Sequence, residues 1–143
     1  MAAVTLSGVV VIARHGDRLG FYQDPTTYDA SNTAITALGT VQEFDLGGLL
    51  RSIYLNASSP LAIDGISINL VDSSQIKVRA DAGDEGFVIF DSSVALLQGL
   101  YPPTKDMNST QSDGSVVVSP LGGYQYIPSK PVHFSLICLL IVF

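Results

Sequence analysis

VVVIARHGDRLG, residues 9–20, is the stretch on which the reading of this chain turns. Residues 6–13 form a short, nearly continuous apolar run that includes four β-branched side chains, Val9 to Ile12. Such a run predicts a strand buried on both faces, as in a parallel α/β sheet. It ends abruptly in Arg14-His15-Gly16-Asp17-Arg18. In open α/β sheets ligands bind outside the carboxyl ends of the strands, so these charges mark the exit of a central strand into a crevice.

The five residues suit a tetrahedral anion. Arg14 and Arg18 each offer a fork of donors. Gly16 has no Cβ to hold the backbone away from a ligand. A neutral His15 imidazole beside an arginine-bound phosphate is a nucleophile. The same pentapeptide also reads as a solvated turn with a structural histidine. Its place directly after a buried strand favours the first reading.

Working outward, residues 36–55 predict a helix whose apolar face is Leu38, Val41, Leu46, Leu49, Leu50 and Ile53. Gly39, Gly47 and Gly48 oppose it by ~1 kcal/mol each relative to Ala. Residues 66–71 and 75–79 are strand candidates, and 84–100 predict a second helix. Val88, Val94, Leu97, Phe87 and Phe90 would line its buried side, and Tyr101-Pro102-Pro103 would stop it. Residues 104–114 are polar, 115–119 suit a short strand and 122–130 a loop. Strand, helix, strand, helix predicts an α/β architecture with right-handed crossovers.

Composition narrows the function. The chain has 143 residues, enough for one domain with a core, and a formal net charge of -6. That charge argues against a general nucleic-acid surface, which needs clustered Lys and Arg. Cys138 is the single cysteine, so no internal disulfide forms, and His15 and His133 lie too far apart for ligand spacing. The start lacks a basic region and reads as a strand, not a signal peptide. The apolar end, residues 133–143, is about half the ~20 residues a membrane helix requires. Asn56-Ala57-Ser58 and Asn108-Ser109-Thr110 are glycosylation sequons in polar stretches.

Arg14-His15-Gly16-Asp17-Arg18 resembles the RHGxRxP signature of the histidine acid phosphatases, the branch of the phosphoglycerate-mutase-like superfamily that includes phytases. Ile35-Thr36-Ala37-Leu38-Gly39, Gln42, Leu46-Gly47, Leu50-Arg51 and Tyr54 resemble that family's LTxxGxxQ…LGxxLRxxY helix. Val78-Arg79 and Leu100-Tyr101-Pro102-Pro103 resemble its third arginine and its helix closing in Pro-Pro, and Pro120-Leu121-Gly122-Gly123-Tyr124 is similar to fungal members. The resemblance spans residues 4–128.

The resemblance implies a three-layer α/β/α sandwich, here the N-terminal part of the sheet with its first helices. It implies hydrolysis of a small phosphomonoester in two steps, with no metal and no cofactor. His15 would be the nucleophile, and Arg14, Arg18 and Arg79 would hold the phosphate. It implies a secreted or cell-surface protein, with Asn56 and Asn108 as glycan sites. Asp17 would be solvated or a partner for Arg18, and Arg51 structural. Glu43, Asp45, Asp84 and Glu85 read as helix-surface or first-turn charges. Two departures stand out: Gly20 replaces the signature proline, and His133 is followed by Phe134 where the family has His-Asp. The leaving-group acid therefore has no candidate. Residues 1–128 read as a partial phosphatase domain and 129–143 as an unmatched apolar tail, with too few strands to cover the first one. Two other readings are an inactive fragment that keeps a phosphate pocket, and an α/β interaction module without chemistry.

Overall fold

Thr36 starts the first helix: its extended backbone leaves the helix, and its hydroxyl accepts from Gly39 N–H at 3.1 Å. In the computed structural model, which describes residues 5–20, 22, 24–27, 31, 33–81, 87–132 and 139–143, this helix, α1, runs Ala37–Tyr54. It follows strand β1, Val10–Ala13. Then come β2, Lys77–Asp81; α2, Val88–Leu100; and a hairpin of β3, Asn108–Thr110, with β4, Val116–Val118. A helical turn, α3, Pro120–Gly123, precedes β5, Ser129–Val132, and β6, Leu139–Val142. The expected order of strand, helix, strand, helix is present, and the fold is α/β.

The main sheet is mixed, in the order β1-β6-β2-β5. β6 lies between β1 and β2 and is antiparallel to both, with Ala13 opposite Leu139 and Ala80 opposite Leu139. β5 is parallel to β2, with Arg79 opposite Lys130. Phe143 N–H donates to Val9 carbonyl at 3.0 Å and extends the pairing of β1. Residues 129–143, which the sequence sets apart as a tail, thus supply two strands of this sheet.

α2 lies against β2 and β5, and α1 lies against α2. The core joins Ala13, Val78, Ala80 and Ile141 of the sheet to Val88, Ile89, Leu96, Leu97 and Leu100 of α2. Among the described residues the helices cover one face of the sheet. The other face is open, with Val10 59% and Ile12 71% exposed. β1 is therefore not buried on both faces as its apolar run suggested: Val10 and Ile12 stay exposed, and among the described residues no layer covers them.

The helix faces differ from expectation for a related reason. The buried stripe of α1 is Gly39, Glu43, Gly47 and Leu50, while Leu38, Val41 and Leu49 are exposed. A Cβ on Gly47 would stand 2.0 Å from Leu96 carbonyl oxygen, and one on Gly99 would stand 2.0 Å from Phe44 carbonyl oxygen. The helices meet backbone to backbone, so the stripe with the smallest residues faces inward. On α2, Val88 and Leu97 are buried and Val94 half-buried, but Phe87 and Phe90 are exposed.

Residues 66–71 are not a strand. Side chains hold this segment instead of a ladder. Arg51 donates to Ile68 carbonyl at 2.7 Å, Tyr101 hydroxyl to Ser67 carbonyl at 2.9 Å, and Gln125 to Asn69 carbonyl at 2.9 Å. Gln75 Oε1 accepts from Ser67 N–H, and Gln125 Oε1 from Val71 N–H, both at 2.8 Å. Once these donors and acceptors meet the backbone groups, no neighbouring strand is needed. Arg51 also reaches Leu100 carbonyl at 3.1 Å, which makes its role structural.

Candidate functional site

The loop leaving β1 is clamped against the start of α1. A Cβ on Gly16 would lie 2.5 Å from Gly39 carbonyl oxygen, and a Cβ on Gly39 would lie 2.1 Å from Asp17 carbonyl oxygen. Only residues without side chains fit this approach. Thr36 N–H donates to Asp17 carbonyl at 3.0 Å, and Thr36 hydroxyl donates to Asp17 Oδ2 at 2.5 Å. Asp17 is thus tied to the N-cap residue of α1. Leu19 N–H donates to Ala34 carbonyl at 2.9 Å, and Thr33 hydroxyl to Leu19 carbonyl at 2.7 Å.

Two loop amides are spoken for. Gly16 N–H donates to the buried Ser92 Oγ of α2 at 3.2 Å. Asp17 N–H donates to Gln42 Oε1 of α1 at 2.9 Å. The loop is therefore braced by both helices, and these two backbone donors are not spare for an anion.

His15 is 9% exposed. Its Nδ1 lies 2.7 Å from Gly16 carbonyl oxygen. A carbonyl only accepts, so Nδ1 carries the proton and Nε2 of the neutral ring carries the lone pair. Nε2 is enclosed and has no hydrogen-bond partner among the described residues.

Arg14, His15, Gly16, Asp17, Arg18 and Gln42 line one cleft of about 320 Å³. The structure thus brings together His15, Arg14 and Arg18 of the expected site. It does not bring Arg79 to this cleft. Arg79 is mid-strand on β2, β6 separates it from β1, and its side chain lines a different recess with Lys77 and Lys130. The expectation that Arg79 closes a strand end on the shared crevice fails because β6 occupies the position between the two strands.

Asn56 and Asn108 are both exposed, Asn56 in the turn after α1 and Asn108 on the hairpin strand β3. His133, Cys138, Asp84 and Glu85 lie outside the described residues. Among the described residues no group of three or more His, Cys, Asp or Glu side chains is placed to hold a metal ion, and no helix is long and apolar enough to cross a membrane.

Three further residues, two bracing the loop and one buried on α1, carry no site signal as the sequence is read. Gln42 lies one turn after Gly39, so its helical spacing from Thr36 could have indicated it. Ser92 gave no signal, since a serine inside a helix has many uses. Glu43 reads as a surface charge but is 4% exposed, and burial pushes its carboxyl up to about 7. Its Oε2 has no hydrogen-bond partner among the described residues. No protein-family model matches the chain, and no curated protein matches it.

Proposed function

We propose that the cleft at the end of β1 binds a phosphomonoester and hydrolyses it through a phosphohistidine on His15. The observation that carries this reading is the Nδ1–H···O=C bond from His15 to Gly16 at 2.7 Å, which leaves Nε2 as the lone-pair nitrogen of a histidine that shares its cleft with Arg14 and Arg18. Nε2 attacks phosphorus, and the bond from phosphorus to the alcohol oxygen breaks. The electron pair leaves on that oxygen, which takes a proton from solvent because no side chain is assigned as its acid. Water then attacks phosphorus and loses a proton to solvent. The N–P bond breaks, its electron pair returns to Nε2, and inorganic phosphate departs. Arg14 and Arg18 stabilise charge on the phosphoryl oxygens in both steps. The guanidinium groups take this role because the Gly16 and Asp17 amides are engaged by Ser92 and Gln42.

The same reading extends to the finer fold, a phosphoglycerate-mutase-like sheet, and to a secreted or cell-surface protein. The strand, helix, strand, helix order supports the first, and the exposure of Asn56 and Asn108 supports the second.

Acid quenching during turnover of a labelled aryl phosphate tests the mechanism. Label on a histidine, lost in His15→Ala, is the expected result. Label on serine, or label that persists in His15→Ala, rejects it. The enclosure of Nε2 favours a second reading, an anion-binding cleft without turnover. Vanadate binding that needs Arg14, without hydrolysis of a chromogenic phosphomonoester, would establish that reading instead.

A further inference from the structure

Three of the chain's seven Lys and Arg residues stand together on the open face of the sheet: Lys77, Arg79 and Lys130. Lys77 and Arg79 are two residues apart on β2, so alternation points them to one face, and both are exposed. Lys130 is the register partner of Arg79 on β5 and is also exposed. Neighbouring strands lie ~4.8 Å apart, which makes Arg79 and Lys130 adjacent like charges. Like charges in facing positions destabilise a sheet. None of the three side chains has an ion pair or hydrogen bond among the described residues.

The three cations line a recess of about 290 Å³ with Ser73, Ile76 and Pro128, and among the described residues no acidic side chain lines it. Asp72 is turned to Ser74, whose amide and hydroxyl donate to its Oδ1 at 2.8 and 2.7 Å. Asp81 shares the outward side of β2 but is 5% exposed and does not line the recess. In a chain of net charge -6, three cations at adjacent sheet positions, with no ion pair among the described residues, form a local positive field. An anion placed among them removes the mutual repulsion and receives donors from three sides, with the Arg79 fork matching a tetrahedral oxyanion.

We propose that Lys77, Arg79 and Lys130 form a second oxyanion site, separate from the His15 cleft, that takes a phosphate dianion. The inference does not rest on the cleft reading, since none of its three residues lines that cleft. The phosphate is either the free ion or a terminal monoester group on a larger molecule.

Backbone amide NMR of the full chain at low salt, titrated with inorganic phosphate in one arm and phenyl phosphate in the other, tests the site. The β2 and β5 amides are expected to shift saturably, with affinity at least about tenfold weaker in Lys77→Gln/Lys130→Gln and unchanged in Arg14→Gln. Both substituted lysines are exposed, so the double variant retains the fold. Binding of inorganic phosphate alone assigns the free ion, and binding of both assigns the monoester group. Static β2 and β5 amides in both arms, or equal affinity in the double variant, would overturn the site.

Discussion

Gly16 and Gly39 are locked against each other: the backbone of the His15 loop and the first turn of α1 approach so closely that neither position has room for a methyl group. The geometry of the cleft therefore depends on a contact that contains no side chain. Gly39→Ala should cost about 1–3 kcal/mol through overpacking. It should also weaken vanadate binding by displacing Arg14 and Arg18. Denaturant titration and calorimetry would check both, and an unchanged vanadate affinity would separate the loop from the helix.

The α1–α2 crossing makes a sharper contrast among glycines. Gly47→Ala and Gly99→Ala should each destabilise by about 1–3 kcal/mol, because the new methyl meets a facing carbonyl. Gly48→Ala, with open space at that position, should stabilise the helix by about 0.5–1 kcal/mol. Thermal melts of the three variants would decide. A stabilised Gly47→Ala would mean the helices sit farther apart.

Glu43 makes stability depend on pH. Its carboxyl moves from 4.5 to about 7 through burial, so the folded state holds a proton that the unfolded state has already lost. Stability is fully present below pH 4.5 and falls as pH rises through 7. Glu43→Gln cannot ionise and should be more stable than the parent by about 1–3 kcal/mol at pH 8, and equal to it near pH 4. Parallel denaturation curves at the two pH values test this. The same difference at both would assign the effect to packing.

Ile141 tests the central place of β6. It is fully buried and faces both Val11 and Val78 in the register. Ile141→Ala should cost about 2–5 kcal/mol, as for a large-to-small change in a core. A loss below about 0.5 kcal/mol, measured by denaturant unfolding, would show that the strand is not seated between β1 and β2.

Arg14→Ala should weaken vanadate binding by about 1.5–3 kcal/mol, the worth of a hydrogen bond to a charged group. Calorimetry would measure it. Equal affinity would remove Arg14 from the anion clamp.

The local signals in the sequence were strong where the chemistry is local. The helical spacing of apolar residues from Leu38 to Ile53 marks a helix, the run before Arg14 marks a strand, and Tyr101-Pro102-Pro103 marks a helix end, and α1, β1 and α2 follow. His15, Arg14 and Arg18 share a cleft because they are neighbours in sequence. Long-range pairing was not legible. Nothing local to Leu139–Val142 says that it belongs between β1 and β2, and that placement moves Arg79 away from the cleft. Glycines hid the packed face of α1, because periodicity counts apolar side chains and this interface is built from their absence. Residues 66–71 look like a strand, but their backbone partners are side chains from distant parts of the chain.

The position of β6 has a kinetic consequence. β1 finds its sheet neighbour near the opposite end of the described chain, with Ala13 against Leu139. Pairings of such wide sequence separation carry a large closure entropy and form slowly. The helical pair α1–α2 can assemble from nearby segments, but the strand that presents Arg14 and His15 stays without a hydrogen-bonded neighbour in the main sheet until residues 139–142 arrive. During synthesis the His15 loop is thus the early-made part that matures late, and a nascent chain lacking those four residues would carry the RHG sequence without its sheet support.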